Sequence, residues 1–171
     1  MKKVFVTGVS GTGKTTAVRE VDKMNLPGLA VFYFDSIGVP PFEEMEKEYG
    51  SADEWQRVKT IEWVRRMKEA SREKDVVLDG QTRPAFINEG CEKYGITDYE
   101  IVLFDCTDEV RTKRLEERGQ PELASEAMMD WARRLREACT DGFCKIVDNT
   151  KLTIEETRTA LLLHLGRPEN V

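Results

Sequence analysis

The run Lys3-Val4-Phe5-Val6-Thr7 passes directly into Gly8-Val9-Ser10-Gly11-Thr12-Gly13-Lys14-Thr15-Thr16, and this junction constrains the fold more than any other feature of the chain. The first segment is β-branched and aromatic, as a buried strand is. The second fits Gly-x-x-x-x-Gly-Lys-[Ser/Thr]. Glycines let consecutive backbone amides curl inward as an anion nest, and the helix expected to begin at Lys14 adds its positive end. A polyphosphate is met this way without side-chain bulk. Gly8, Ser10, Gly11, Thr12, Gly13 and Thr16 are read as the cradle. Lys14 is placed to reach the β- and γ-phosphates, and the Thr15 hydroxyl to ligate Mg²⁺.

The rest of the chain repeats the alternation. Strands are predicted at Leu29–Phe34, Val76–Leu78, Ile101–Phe104 and Lys145–Val147. Helices are predicted at about 14–24, 41–74 with a break near Gly50-Ser51, 85–94, 109–118, 122–138 and 154–165. Asp53 is the expected N-cap after the break, followed by Trp55, Val58, Ile61, Val64 and Met67 at helical spacing. Near-continuous apolar strands between helices mean a parallel sheet covered on both faces. Ligands of such sheets bind beyond the carboxyl ends of the strands. A length of 171 residues fits one domain, residues 1–171, with one sizeable core. The net charge of -6 argues against a general nucleic-acid binder. No apolar run is long enough for a membrane span, and the stretch after Met1-Lys2-Lys3 stops at Thr7-Gly8, too early for a signal peptide. The four cysteines, Cys91, Cys106, Cys139 and Cys144, form no Cys-x-x-Cys, and the single histidine is His164, so zinc is not expected. Four reduced thiols in a cytoplasmic protein are expected, although Cys139 and Cys144 are near enough to meet across a turn.

Four further segments sit just beyond strands or on the helices that follow them. Val76-Val77-Leu78-Asp79 is an apolar strand ending in an acid that can hold Mg²⁺ or one of its waters, and it runs on through Gly80-Gln81-Thr82-Arg83. Arg114 and Arg118 share a helix face at i, i+4. Gly119 to Ser125 carries turn residues ahead of a helix containing Arg133, Arg134 and Arg136, whose packed face is Trp131, Leu135 and Met128. Val147-Asp148-Asn149-Thr150-Lys151 follows the last strand. With the glycine-rich loop, these segments resemble the nucleoside and nucleotide kinase branch of P-loop proteins, the group of adenylate, shikimate and gluconate kinases and chloramphenicol phosphotransferase.

The resemblance spans nearly the whole chain. It implies a three-layer α/β P-loop fold with five parallel strands in the order 2-3-1-4-5. It also implies ATP and Mg²⁺ as cofactors, with Thr15 and Asp79 at the metal. Arg114 is expected at the adenine and Arg118 at the phosphates. A short lid is expected at about 119–127, with one of Arg133, Arg134 or Arg136, here assigned to Arg134, swinging over the transferring group. The loop of Asn149, Thr150 and Lys151 is expected to touch the base. Asn149 replaces a family glycine, and asparagine tolerates the left-handed backbone next best.

The acceptor is drawn two ways. Phe34-Asp35-Ser36 ends the second strand in an acid, as in the kinases that phosphorylate hydroxyls, where a carboxylate positions or deprotonates a weak nucleophile. Arg83 matches in spacing the arginine with which adenylate kinases clamp a phosphate acceptor. The segment 36–74 is expected to build the acceptor site, with Arg57 and Arg65 available to an anion and Trp55 and Trp63 in the core. The expected activity is ATP- and Mg²⁺-dependent transfer of a γ-phosphoryl group to a small molecule, by a monomer or small homo-oligomer. Lys14, Asp35, Arg83, Arg118 and Arg134 carry the chemistry in this reading. Nucleoside monophosphate kinase, 5′-hydroxyl polynucleotide kinase and ATP-binding switch are the alternatives.

Overall fold

A computed structural model describes residues 1–168. Five parallel strands, β1 (Lys3–Thr7), β2 (Leu29–Tyr33), β3 (Asp75–Asp79), β4 (Glu100–Asp105) and β5 (Lys145–Asp148), form one sheet in the order β2-β3-β1-β4-β5. Among the described residues seven α-helices flank them: α1 (Lys14–Lys23), α2 (Phe42–Tyr49), α3 (Ala52–Ala70), α4 (Pro84–Lys93), α5 (Asp108–Glu117), α6 (Glu126–Ala138) and α7 (Ile154–His164). β1 lies at the centre, with Val4 opposite Val77 on one side and Phe5 opposite Ile101 on the other. This is the order and architecture that the family resemblance implies.

Strand alternation sorts the core into two layers. Phe5, Leu78, Ile101 and Leu103 face α3, α4 and α6, where Trp63, Val64, Met67, Ile87 and Leu135 close over them. Val4, Val6, Val77, Val102 and Phe104 face α1 and α7, against Val18, Val21, Leu161 and Leu162. Both faces are buried, so β1, β3 and β4 carry apolar runs rather than alternating ones. Trp55 and Trp63 are core residues, and the Trp63 indole N–H donates to the Phe34 carbonyl at 3.1 Å.

Several local expectations change. Ser51, not Asp53, caps α3, since its hydroxyl accepts from Glu54 N at 3.1 Å while its own backbone stays extended. That leaves the Asp53 carboxylate free to reach Arg83. The helix predicted from 122 is a 3-10 turn, Pro121–Ala124, followed by α6, because Ser125 is extended (φ -66°, ψ 158°) between them. Cys139 and Cys144 are joined in a disulfide across the turn that links α6 to β5, with Cα atoms 4.8 Å apart; Cys91 and Cys106 are free and buried. The expectation of four reduced thiols is corrected here, because the 3-10 turn Thr140–Gly142 folds both cysteines back into the core. Among the described residues, no helix is long and apolar enough to cross a membrane.

Candidate active site

The carboxyl ends of β1, β2 and β3 and the start of α1 enclose a cavity of about 390 Å³, walled by Ser10, Lys14, Thr15, Asp35, Asp79 and Arg118. A second cavity of about 240 Å³ adjoins it through Gly11, Gly13 and Thr16 and runs between Arg114, Asn149, Leu152 and Ile154. The loop from Gly8 to Thr16 bends around the shared edge. Gly8 has φ 145°, and a Cβ there would lie 2.5 Å from the Phe104 carbonyl oxygen. Gly11 has φ 86°, and a Cβ would strike the Arg111 stem at 2.7 Å. Only glycine fits either place. Thr12 is buried; its hydroxyl donates to the Val9 carbonyl at 2.9 Å and so braces the turn from inside.

Lys14, Asp35, Asp79 and Arg118 line the first cavity together. Burial pushes the Lys14 ammonium below its ordinary value; Asp79 and Asp35 pull it back up, and Arg118 adds to the lowering. Asp79 is nearly buried, and burial pushes its carboxyl above the usual range, against Lys14 and the Thr15 hydroxyl. Its Oδ1 has no partner. An orphaned carboxylate oxygen beside a threonine hydroxyl, in a site opening on a polyphosphate cradle, fits Mg²⁺, which binds through one or two carboxylates and keeps its remaining places for waters and phosphates. Among the described residues no group of three or more His, Cys, Asp or Glu gathers to hold a metal by itself.

Other expected residues are placed differently. Arg114 borders the second cavity but is tied down, with Nη1 on Asn149 Oδ1 and Nη2 on the Asn149 carbonyl, both at 3.0 Å. Asn149 does not use the left-handed backbone, since among the described residues only Asn25 does so outside glycine. Its side chain is the reason for it: Nδ2 donates to the Thr12 carbonyl at 2.6 Å and so fastens the end of β5 to the phosphate loop. Thr150 binds Asp148 and the Thr107 amide, Lys151 is exposed, and neither lines the second cavity.

Arg83 also stands outside the cavity at the ends of β1, β2 and β3. It pairs with Asp53 at 2.5 Å and lies over the Trp131 and Phe86 rings, at 4.7 and 5.3 Å from their centroids. Arg133 pairs with Asp130, and Arg136 grips the Asp105 carboxylate through Nε and Nη2 at the far side of β4. Arg134 is exposed and lines neither cavity. Arg57 is held by Glu54 and Glu89, and Arg65 by Glu69. The first cavity is also lined by Arg19, Tyr33, Phe34, Gly80 and Gln81, to which the sequence assigns no role. Arg19 was within reach of helical spacing, one turn after Thr15.

The strand order, the glycine-rich loop at the end of β1 and the acid at the end of β3 together define a P-loop fold. A family model described as an AAA domain matches residues 4–130, and the chain belongs to that family. It is 28% identical over 177 residues to a "Nucleotide-binding protein" of Geotalea uraniireducens (strain Rf4), covering 96% of this chain and 54% of that one. The chain thus spans about half the length of this curated relative. Among solved structures, a sugar kinase from Janibacter sp. HTCC2649 superposes with a TM-score of 0.68 at 20% identity, over 97% of this chain and 95% of its own. The Deinococcus radiodurans tunicamycin resistance protein gives 0.68 at 18%, over 98% and 97%. A gluconokinase from Sinorhizobium meliloti 1021 gives 0.65 at 16%, over 96% and 91%. At such identities these likenesses show the fold.

Proposed function

We propose that the chain is an ATP- and Mg²⁺-dependent phosphotransferase acting on a hydroxyl of a small molecule. One observation carries the choice of acceptor. Asp35 lines the phosphate cavity with Lys14 and Asp79, whereas Arg83 is held out of it by Asp53 and Trp131. A hydroxyl needs a carboxylate to orient it or take its proton; a phosphate acceptor is already ionised and needs cations. The kinase neighbours and the nucleotide-binding relative are consistent with this reading.

In this reading the loop amides and Lys14 hold the β- and γ-phosphates, and Arg118, bordering both cavities, spans the nucleotide. Bound Mg²⁺ would neutralise phosphate charge and would be held by the Thr15 hydroxyl and Asp79. Asp35 aligns the acceptor oxygen with the γ-phosphorus and receives its proton as the bond forms. Arg134, exposed on α6, is the one of the three α6 arginines with no ion pair among the described residues, and closes over the phosphates when the segment 119–127 shuts.

The test is ADP release from Mg·ATP across nucleosides, sugars, sugar acids, amino-alcohols and nucleoside monophosphates. With the acceptor that stimulates, Asp35→Asn should lower kcat/KM by roughly 10²-fold or more while ADP affinity stays within twofold. Arg83→Gln should cost less than Asp35→Asn. A best acceptor that is a monophosphate, with Arg83→Gln the more damaging change, would refute the hydroxyl reading. ATP turnover that no acceptor raises would favour a nucleotide-driven switch.

A further inference from the structure

Arg111, on α5, is the largest fully buried side chain among the described residues, with 0% of its surface exposed. Its Nη2 donates to Asp108 Oδ1 at 2.9 Å and lies against the sulfur of Met129 on α6. Asp108 itself is half in solvent. Nε and Nη1 have no partner at all. A guanidinium cannot shed its charge, and leaving its donors unused in the interior is costly. Buried ion pairs of this kind are often replaced by apolar residues without loss of stability. Packing alone therefore gives no reason for an arginine here.

The reason lies in what its stem touches. Gly11, shared by both cavities, rests on the Arg111 side chain so closely that a Cβ would meet its Cγ at 2.7 Å. The other side of the loop is backed by Cys106, whose sulfur stands 4.0 Å from the Gly11 carbonyl oxygen. A positive charge, offset only in part by the half-exposed Asp108 carboxylate, is thus sealed behind the loop, where mobile ions do not screen it. At a separation on the order of 10 Å and an effective interior dielectric of about 20, one net negative charge on a bound polyphosphate would be held on the order of tenfold more tightly.

We propose that Arg111 is a positioning residue that strengthens polyphosphate binding from behind the loop, without contacting the ligand, at the expense of the stability of the ligand-free protein. The inference rests on the loop binding a nucleotide. Its two effects have opposite signs, which a merely structural arginine would not produce.

The experiment compares wild type, Arg111→Met and Arg111→Lys. Thermal midpoints are read without ligand, and affinities for ADP and for inorganic pyrophosphate by calorimetry at about 0.1 and 0.5 M KCl. Arg111→Met should melt at or above wild type, bind both ligands about tenfold more weakly, and keep the same ratio to wild type at both salt concentrations. Arg111→Lys should keep most of the affinity. An Arg111→Met protein that melts lower or fails to fold, or that binds ADP within twofold of wild type, overturns the proposal. Wild type that binds neither ligand refutes the nucleotide reading itself, and this inference with it.

Discussion

Replacing Asn149 with glycine turns the loop after β5 back toward the adenylate kinase pattern. If asparagine stood there for a left-handed backbone, the change would be neutral or better, and Asn149→Ala would be the damaging one. The structure reverses the order. Either substitution removes the buried Nδ2 bond to the Thr12 carbonyl and the part-buried Oδ1 bond to the Arg114 guanidinium. A neutral hydrogen bond contributes about 1 kcal/mol and one to a charged partner about 1.5–3, so the loss is about 3 kcal/mol. For a domain of this size that lowers the thermal midpoint by about 6–12 °C. Glycine adds a further backbone-entropy cost of about 0.5–1 kcal/mol, so Asn149→Gly should melt slightly below Asn149→Ala. Differential scanning calorimetry of the three proteins without ligand decides it. Asn149→Gly within 1 °C of wild type, or clearly above Asn149→Ala, would refute the assignment of Asn149 as the fastener between β5 and the phosphate loop.

The raised Asp79 carboxyl predicts a pH effect. Its folded value lies above its ordinary one, so its contribution to stability is fully present below the ordinary value of 3.8 and is lost as pH rises through the folded value. At neutral pH the ligand-free Asp79→Asn protein should therefore melt above wild type and lack that part of the pH dependence, while losing its Mg²⁺ response; a lower midpoint at neutral pH contradicts the burial argument. The Cys139–Cys144 bridge closes a loop with a sequence separation of only 5, so reduction should cost about 2 kcal/mol and lower the midpoint by about 4–8 °C. Melting with and without a phosphine reductant measures this, and no shift in the oxidised protein would mean the thiols are not paired in solution.

What the sequence determined by itself is local or periodic. The loop from Gly8 to Thr16 is legible because its chemistry comes from consecutive backbone amides, and backbone geometry is written in glycines. The strands are legible because a sheet buried on both faces demands unbroken apolar runs, as in Val76-Val77-Leu78. The places of Asp35 and Asp79 at the cavity are legible because each directly ends or follows such a run. The side-chain roles that misled were those decided by partners distant in the chain. Arg83 was read by its spacing from Asp79, but Asp53 and Trp131, from α3 and α6, determine where its guanidinium goes. Asn149 was read for its backbone, but Thr12, 137 residues earlier, explains its side chain. Nothing in the sequence singles out Arg111; only the packing of α5 against Gly11 and Met129 removes it from water. Charge and hydrogen bonding act through space, and the tertiary structure alone sets which groups share that space and how much water remains between them.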